Sequence, residues 1–440
     1  MEMSAVVVRP SVLAKRCQVI STLSSIDHPL TCKEASIMQQ SAVEMRNQTW
    51  VDRGNIHVAT TYGRTPIALV RGEGMRVWDA DGKMYYDFLA GLGVNNLGHC
   101  HPRVVEAIRQ QAGTLLHVSN LYHIQPQIEL ADMLAQLSFA DRSFFCNSGT
   151  ESCEAAIKLA RKYSHDHFGA GRYEIITFEN SFHGRTMASL SATAQRKYHK
   201  GFEPLLEGFR YAPFNDLQAL EQMITPKTCA IMVEPIQGEG GVNVPSPGYL
   251  QGLRALCTAH QLLLIYDEVQ CGIGRTGTLF AYEHEAVPPD IMTLAKSLAG
   301  GVPIGALLAR EEVAQAFVPG THAATFGGNP LATAAGVAAL KAIQEDGMLE
   351  NCQRVGAYFR RRLQDLQQRY AFIKEVRGRG LMLAIQLDFP GGHLVNGCLE
   401  RGFLVNCTMD TVLRFLPPLI VKESEVDLLI TTLDELFAKV

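Results

Sequence analysis

Short apolar runs alternate with amphipathic stretches between residues 143 and 308 of this chain. Continuous apolar runs of about four to eight residues predict strands buried on both faces, and a period near 3.6 predicts helices. The predicted strands are 143–147, 174–178, 230–234, 262–267, 291–295 and 304–308, and the predicted helices among them are 151–164 and 249–260. This alternation indicates an α/β fold on a mainly parallel sheet.

Different patterns flank this series. Before it, two β-like runs surround Asp81-Gly82, a dipeptide typical of tight hairpin turns, and a helix is predicted at 101–112, with Gly113 at its end. After residue 330 the predicted elements are helices at 331–345 and 355–370, strands at 372–376, 381–387, 403–406 and 412–415, and a helix from residue 423.

The change of pattern near residue 330 predicts two domains. Residues 45–100 would form the N-terminal segment of a small domain, residues 101–330 a large domain, and residues 331–440 the C-terminal, α+β part of the small domain. Residues 1–44 lack sustained periodicity, and we interpret them as a disordered leader or as sequence upstream of a start near Met45. A transit peptide is the alternative, although several acidic residues weaken it.

Composition narrows the class of protein. Of 440 residues, 47% are hydrophobic and 19% are charged, as in an ordinary globular enzyme. A net charge of −4 without a dense basic stretch argues against nucleic acid as a partner, and no apolar run approaches the ~20 residues of a membrane-spanning helix. Eleven cysteines without a CxxC pair argue against a disulfide framework or zinc ribbon. We expect a cytoplasmic protein with no metal, nucleic-acid or membrane partner.

Chemistry-bearing residues follow several predicted strands. Because ligands bind beyond the carboxyl ends of strands in open α/β sheets, Gly149, Glu234, Asp267 and Lys296 should meet at one edge. A lysine amine can bind an aldehyde covalently, and a carboxylate can keep a pyridine nitrogen protonated. Lys296 and Asp267 therefore suit pyridoxal phosphate (PLP), although a solvated surface lysine and a strand-end cap are commoner for each residue alone.

Other residues suit other parts of such a cofactor and its substrate. Gly149 and Thr150 join a strand to a helix N-terminus, which favours phosphate, and Thr325 lies in a glycine-rich loop. Phe182 can stack on a pyridine ring, and Arg185 can bind a carboxylate. Each of these residues also has a purely structural alternative. Gly149 and Thr150 could belong to an ordinary helix cap and Thr325 to a turn, while Phe182 could be a core residue and Arg185 a surface residue.

Two charged residues lie in unusual settings. Glu239 lies between two glycines, and Arg414 lies inside an apolar run. A buried arginine needs a partner, so Arg414 indicates either a structural salt bridge or a site for a substrate carboxylate.

The segment 272–277 satisfies the G-x-G-x-x-G pattern soon after a strand, so a nicotinamide-dependent oxidoreductase is an alternative. The residues after it do not open a clean amphipathic helix, which weakens that interpretation. A catalytically silent binding protein is a further alternative, against which Lys296 and Asp267 both argue.

Taken together, these strings resemble the class III (fold-type I) PLP-dependent aminotransferases over roughly residues 50–438. Within that class the chain is most similar to the acetylornithine aminotransferases. The matching strings are Asn147-Ser-Gly-Thr-Glu, Phe182-His-Gly-Arg, Glu234-Pro-Ile-Gln-Gly-Glu, Asp267-Glu-Val-Gln, Leu294-Ala-Lys and Thr325-Phe-Gly-Gly-Asn-Pro. The resemblance implies a large PLP domain with a seven-stranded sheet, a small α+β domain, and a homodimer with shared active sites.

The resemblance also implies cofactor contacts. Lys296 would bind the aldehyde and Asp267 the ring nitrogen. The other implied contacts are Gly149 and Thr150 at the phosphate, Phe182 on the ring face, Gln270 at the ring hydroxyl, the adjacent Glu268 and Val269, and Thr325 at the phosphate bound by the partner subunit.

The implied substrates are N2-acetylornithine and 2-oxoglutarate or glutamate. Arg185 would bind the α-carboxylate of acetylornithine, and Glu239 would pair with Arg414 until glutamate binds. Ala324 stands at a substrate-side position where serine is usual, and Cys271 stands where threonine is common. Ornithine, succinylornithine, succinyldiaminopimelate and 4-aminobutyrate aminotransferases are the alternatives within the class.

Overall fold

The computed structural model describes residues 46–440, so the predictions for residues 1–44 lie outside the described residues. The described chain divides into a unit of residues 46–68 with 79–81 and a unit of residues 69–78 with 82–440. In the first unit, the helix Asn47–His57 buries none of its residues. The side chain of Asn47 accepts a hydrogen bond from Ala68 N (2.9 Å) and donates one to Asp79 Oδ2 (2.9 Å).

The strands in chain order, β1 to β15, are Leu69–Glu73, Arg76–Asp79, Met84–Asp87, Arg142–Cys146, Glu174–Phe178, Phe209–Ala212, Thr228–Val233, Leu263–Asp267, Ile291–Leu294, Gly305–Ala309, Ile373–Arg379, Met382–Leu387, Phe403–Leu404, Asn406–Thr408 and Val412–Phe415.

The helices after Asn47–His57 are Ala90–Gly93, Pro102–Ala112, Gln125–Leu137, Gly149–Phe168, Met187–Ala192, Arg196–His199, Leu217–Met223, Tyr249–Ala259, Glu311–Ala314, Pro330–Glu345, Met348–Arg369, Gly392–Glu400 and Glu423–Phe437. Two short 3-10 turns, Ala281–His284 and Lys296–Ala299, add to these.

A seven-stranded sheet forms the centre of the larger unit, in the order β4-β10-β9-β8-β7-β5-β6. Strands β9, β8, β7, β5 and β6 pair in parallel, and β10 runs antiparallel between β4 and β9. Every residue of β7, β8, β9 and β10 is buried. The predicted α/β fold with a mainly parallel, seven-stranded sheet is confirmed.

The two faces of this sheet pack against different apolar clusters, because successive residues of a strand point to opposite sides of the sheet. In β8, Leu264 and Tyr266 pack into one apolar cluster, whereas Leu263 and Ile265 pack into another. The second cluster includes Ala156 of the helix Gly149–Phe168. The continuous apolar runs in the sequence thus reflect burial on both faces.

Two four-stranded sheets account for the flanking patterns, in the orders β1-β2-β3-β13 and β11-β12-β15-β14. The predicted hairpin is present, since β2 pairs antiparallel with β3 and Gly82 has a φ of 84°. The predicted strand 403–406 is instead divided, because β13 joins β3 and β14 joins β15. The domain boundaries near residues 100 and 330 stay predictions.

Within residues 46–440, the helices that are long enough to cross a bilayer are too polar to do so.

Candidate active site

The carboxyl edge of the seven-stranded sheet borders a cavity of ≈ 400 Å³. Asp267 ends β8, Glu234 follows β7 directly, and Lys296 lies two residues beyond β9. The structure brings together most of the residues that the sequence singled out. Those lining the cavity are Gly149, Thr150, Phe182, Arg185, Glu239, Asp267, Val269, Gln270 and Lys296.

Lys296 presents an amine without a hydrogen-bond partner among residues 46–440 to this cavity. Its φ of 41° places a non-glycine residue in the left-handed region, a strain that is common at functional sites. The adjacent Ser297 hydroxyl anchors the turn by donating to Gly93 O (2.8 Å). Burial lowers the pKa of the Lys296 amine, while the negative charge of Glu239 opposes that effect. A lowered pKa increases the fraction of neutral, nucleophilic amine.

Asp267 is buried at the centre of a hydrogen-bond network. Its Oδ1 accepts from Val269 N (3.0 Å) and the Thr293 hydroxyl (3.2 Å), and its Oδ2 lies 2.7 Å from His183 Nδ1 and 3.3 Å from Cys153 Sγ. Burial alone would raise the pKa of Asp267, but the hydrogen bond and charge of His183 lower it. The carboxylate therefore stays ionised, as a protonated ring nitrogen requires.

His183 and Cys153 received no role from the sequence. His183 is fully buried, and its Nε2 has no partner among the described residues. The ligand atoms of Cys153, His183 and Asp267 lie within 4.8 Å of one another, as in a metal site. In this structure the Cys153 thiol donates to Asp267 Oδ2, and burial raises the pKa of that thiol well above its ordinary value. Only the adjacency of His183 to Phe182 could have indicated its importance.

The start of the helix Gly149–Phe168 gives the cavity backbone donors that suit an anion. The N–H groups of Gly149 and Thr150 have no acceptor within residues 46–440, as is usual in a first helical turn. The Thr150 hydroxyl accepts from Arg185 N (3.1 Å) and Thr186 N (3.2 Å) and lies 2.8 Å from Thr186 Oγ1. Because these contacts use the hydroxyl, Thr150 offers an anion its backbone N–H.

Close packing leaves no room for side chains at two glycines beside the cavity. A Cβ on Gly149 would lie 2.7 Å from a methyl group of Val269. A Cβ on Gly184 would lie 2.3 Å from Thr150 Oγ1, and the φ of Gly184 is 132°. The helix start that carries Thr150 and the loop that carries Arg185 therefore lie in direct contact.

Glu234 holds two segments of the cavity wall. One carboxylate oxygen accepts from Phe182 N (2.9 Å), and the other accepts from Gly238 N (3.0 Å). Burial raises the pKa of Glu234 to about 7. The carboxyl group thereby links the backbone of Phe182 to the loop that carries Glu239.

Glu239 covers Arg414. Glu239 Oε1 lies 2.7 Å from Arg414 Nη1, and Gln270 bonds to both residues. Burial would raise the pKa of Glu239, but the charge of Arg414 lowers it to about 2. Arg414 is fully buried behind Glu239, and its Nη2 has no hydrogen-bond partner among the described residues. A second carboxylate oxygen would satisfy that nitrogen.

The structure does not bring four of the predicted side chains to this cavity. Arg414 lies behind Glu239, and Glu268 points elsewhere, accepting from Ala281 N (2.6 Å) and Tyr282 N (2.8 Å). Thr325 is exposed, and Ala324 is half-buried in the same loop. A site within one chain therefore lacks any contribution from Thr325.

The glycine-rich segment 272–277 does not have the structure of a dinucleotide site. It leads into the 3-10 turn Ala281–His284 instead of a helix. The pattern binds pyrophosphate through a helix N-terminus, so the nicotinamide alternative lacks its structural basis.

The sequence model of aminotransferase class III matches residues 57–437. The chain belongs to the class III aminotransferases. It is 54% identical over 400 residues to the acetylornithine aminotransferase of Methanocaldococcus jannaschii, covering 90% of this chain and 100% of that protein. It is 50% identical to the enzyme of the same name from Aquifex aeolicus, covering 86% and 99% of the two chains.

Solved structures agree with this assignment. The ornithine aminotransferase of Toxoplasma gondii superposes with a TM-score of 0.88 at 36% identity, covering 93% of this chain and 99% of that one. The acetylornithine aminotransferase of Elizabethkingia anophelis gives a TM-score of 0.81 at 35% identity, covering 90% and 100%.

Enzymes of this class depend on PLP, and the residues of the cavity fit it. The Lys296 amine suits the aldehyde, the ionised Asp267 suits the ring nitrogen, and the N–H groups of Gly149 and Thr150 suit the phosphate, since neither N–H has an acceptor in the described part of the chain. Phe182 also lines the cavity, and its ring suits the face of a pyridine ring.

Proposed function

We propose that this class III aminotransferase is an acetylornithine aminotransferase acting in arginine biosynthesis. It transfers the 5-amino group of N2-acetyl-L-ornithine to 2-oxoglutarate in a ping-pong reaction. The products are N-acetyl-L-glutamate 5-semialdehyde and L-glutamate. The covered Glu239–Arg414 pair carries the proposal, together with the 54% identity to an acetylornithine aminotransferase.

PLP supplies an electron-withdrawing ring that stabilises negative charge on the substrate carbon. In this proposal Asp267 keeps the ring nitrogen protonated, Phe182 and Val269 hold the ring, and Gln270 contacts its hydroxyl. Lys296 holds the cofactor covalently between turnovers and, once displaced by a substrate amine, moves a proton as general base.

Two arginines bind carboxylates in this scheme. Arg185, which lines the cavity and is exposed, binds the α-carboxylate of acetylornithine. Arg414 binds the α-carboxylate of glutamate only after Glu239 moves away. A single cavity can thus accept one substrate whose reacting carbon bears no carboxylate and one whose reacting carbon does.

We also infer a homodimer with shared active sites. Large apolar side chains are exposed near Thr325, among them Leu121 at 84% and Phe326 at 61%. The segment before Leu121 lies against the Thr325 loop, since Asn120 Nδ2 donates to Gly327 O (2.9 Å). In this proposal a second copy covers this surface, and Thr325 contacts the cofactor phosphate of the partner subunit.

The remaining proposals concern organisation and location. The domain boundaries near residues 100 and 330 agree with the division of strands among three sheets. The nine cysteines within residues 46–440 are free thiols, which supports a reducing compartment such as the cytoplasm.

Half-reaction rates of the purified PLP form with a panel of ω-amines test the substrate. Acetylornithine should react fastest. Faster conversion of ornithine would favour ornithine aminotransferase, the activity named for the Toxoplasma structure. Faster conversion of 4-aminobutyrate or a succinylated amine would favour the corresponding sibling.

A further inference from the structure

Tyr198 contacts the guanidinium group of Arg185. The Arg185 Cζ atom lies 3.8 Å from the centroid of the Tyr198 ring and 5.3 Å from that of Phe182. The two aromatic rings meet edge to face, with centroids 5.9 Å apart. The guanidinium thus lies over both rings and closer to that of Tyr198, an arrangement that suits a planar cation.

Among the described residues, these two rings are the only close partners of the Arg185 guanidinium. Within residues 46–440 its guanidinium forms no ion pair or hydrogen bond, and the side chain is exposed. A free arginine loses rotamer entropy when it binds a ligand. A ring that already holds the guanidinium removes part of that loss before the substrate arrives.

The segment that carries Tyr198 is anchored on both sides of the ring. Before it, Gln195 Nε2 donates to the carbonyl of Asn180 (3.2 Å). After it, the buried His199 places Nε2 2.7 Å from the carbonyl of Thr193. Because these contacts lie in the segments that surround Arg185 in the chain, the ring has a defined position relative to that arginine.

We propose that Tyr198 is a positioning residue for the substrate carboxylate. Its ring holds Arg185 in the orientation that binds the α-carboxylate of the amino donor. This inference rests on the proposed function, because it takes Arg185 as the carboxylate-binding group. It assigns Tyr198 an effect on the choice of amine and no effect on proton transfer at Lys296.

Two amines that differ only in the carboxylate test this inference. N-acetylputrescine is acetylornithine without its α-carboxylate, and kcat/KM for both is measured with the PLP-loaded parent, Tyr198→Leu and Tyr198→Phe. We expect Tyr198→Leu to lower the preference for acetylornithine roughly 3- to 30-fold, the range of a cation–π contact, with N-acetylputrescine unchanged. Tyr198→Phe keeps the ring face and should keep the preference.

A structural role for Tyr198 would give different results. Equal losses on both amines, or a Tyr198→Phe variant as impaired as Tyr198→Leu, would overturn the inference. Tyr173→Leu is the matched control, because Tyr173 also contacts an arginine, Arg161 at 5.6 Å, outside the cavity. It should leave the preference unchanged.

The parent enzyme separates this inference from the proposed function. A parent that does not discriminate between the two amines would overturn the role of Arg185 and both proposals with it. A parent that discriminates, combined with a Tyr198→Leu variant that discriminates equally well, would overturn only the inference. In an Arg185→Lys background, Tyr198→Leu should have little further effect on the preference.

Discussion

His183 Nδ1 lies 2.7 Å from Asp267 Oδ2, in a pair that is buried from solvent. An ionised carboxylate only accepts hydrogen bonds, so the imidazole donates through Nδ1. The pair explains why the pKa of Asp267 is low although burial alone would raise it. In the proposed site, where Asp267 keeps a ring nitrogen protonated, that role depends on a residue 84 positions earlier in the chain.

Replacing His183 should weaken this function of Asp267. His183→Phe keeps the ring volume but removes the donor, so the pKa of Asp267 should rise and kcat should fall about 10- to 100-fold, as for the loss of one hydrogen bond to a buried charge. His183→Asn, which can place an amide N–H near Nδ1, should retain more activity. Steady-state kinetics of both variants provide the measurement, and equal losses in the two would indicate a packing role.

Lys296→Ala should abolish turnover while preserving the cofactor site. Without the amine, the covalent attachment and the general base are both lost, and kcat should fall by at least about a thousandfold. PLP should remain bound through the helix N-terminus and Asp267, measured as cofactor retained after dialysis. Lys227→Ala, at an exposed lysine, is the control. Near-normal turnover of Lys296→Ala would show that this assignment is wrong.

Thr325 should act on the cofactor of the partner subunit. Thr325→Ala should weaken PLP binding about 10- to 100-fold, because a phosphate loses one hydrogen bond. Mixed dimers of Thr325→Ala and Lys296→Ala chains then distinguish the two arrangements. If Thr325 acts across the interface, each mixed dimer contains one intact site and activity returns; if it acts within its own chain, mixing restores nothing.

Much of the site could be predicted because its residues follow buried apolar runs. Asp267 is the last residue of β8 and Lys296 lies two residues beyond β9, and these two strands are neighbours in the sheet. Because both faces of these strands are buried, each strand is a continuous apolar run that can be recognised in the sequence. The edge strand β6, Phe209–Ala212, was missed because three of its four residues are only half-buried and Arg210 interrupts the apolar pattern.

The residues that were missed depend on contacts between segments far apart in the chain. No apolar strand pattern beside His183, Cys153 or Tyr198 indicates that these residues belong to the site. Their contacts depend on the order of the strands and on the packing of the loops. Thr150 shows the same limit. The sequence predicts that it holds a phosphate, but it does not show that Arg185 N and Thr186 N already use the hydroxyl.

The Glu239–Arg414 pair should persist at every pH in which the enzyme works. Because the pKa of Glu239 is lowered from 4.5 to about 2, its stabilising contribution is complete above 4.5 and is lost as the pH falls toward 2. The preference between acetylornithine and glutamate should therefore not change between about pH 6 and pH 9 through this group. Half-reaction rates across that range provide the measurement. A preference that titrates in the parent but not in Glu239→Gln would contradict the low pKa.

Removing Glu239 should shift the enzyme toward glutamate. In the structure the carboxylate of Glu239 lines the cavity and covers Arg414, whose Nη2 has no hydrogen-bond partner within residues 46–440. Without that cover, Arg414 presents a free cation beside the reacting carbon in both half-reactions, which favours a substrate bearing a carboxylate there. Glu239→Ala should therefore slow the acetylornithine half-reaction, while the glutamate half-reaction holds steady or becomes faster.

The expected change in the ratio of the two rates is about 10- to 100-fold, the value of one charge-assisted contact. Glu239→Gln, which keeps the side-chain length but loses the charge, should give an intermediate ratio. Stopped-flow spectra of each half-reaction, variant against parent, measure both rates directly. Equal slowing of the two halves would mean that Glu239 supports the cavity as a whole, for instance through Gln270, to which it is also bonded. A group other than Glu239 would then have to distinguish the α-carboxylate of glutamate from that of acetylornithine.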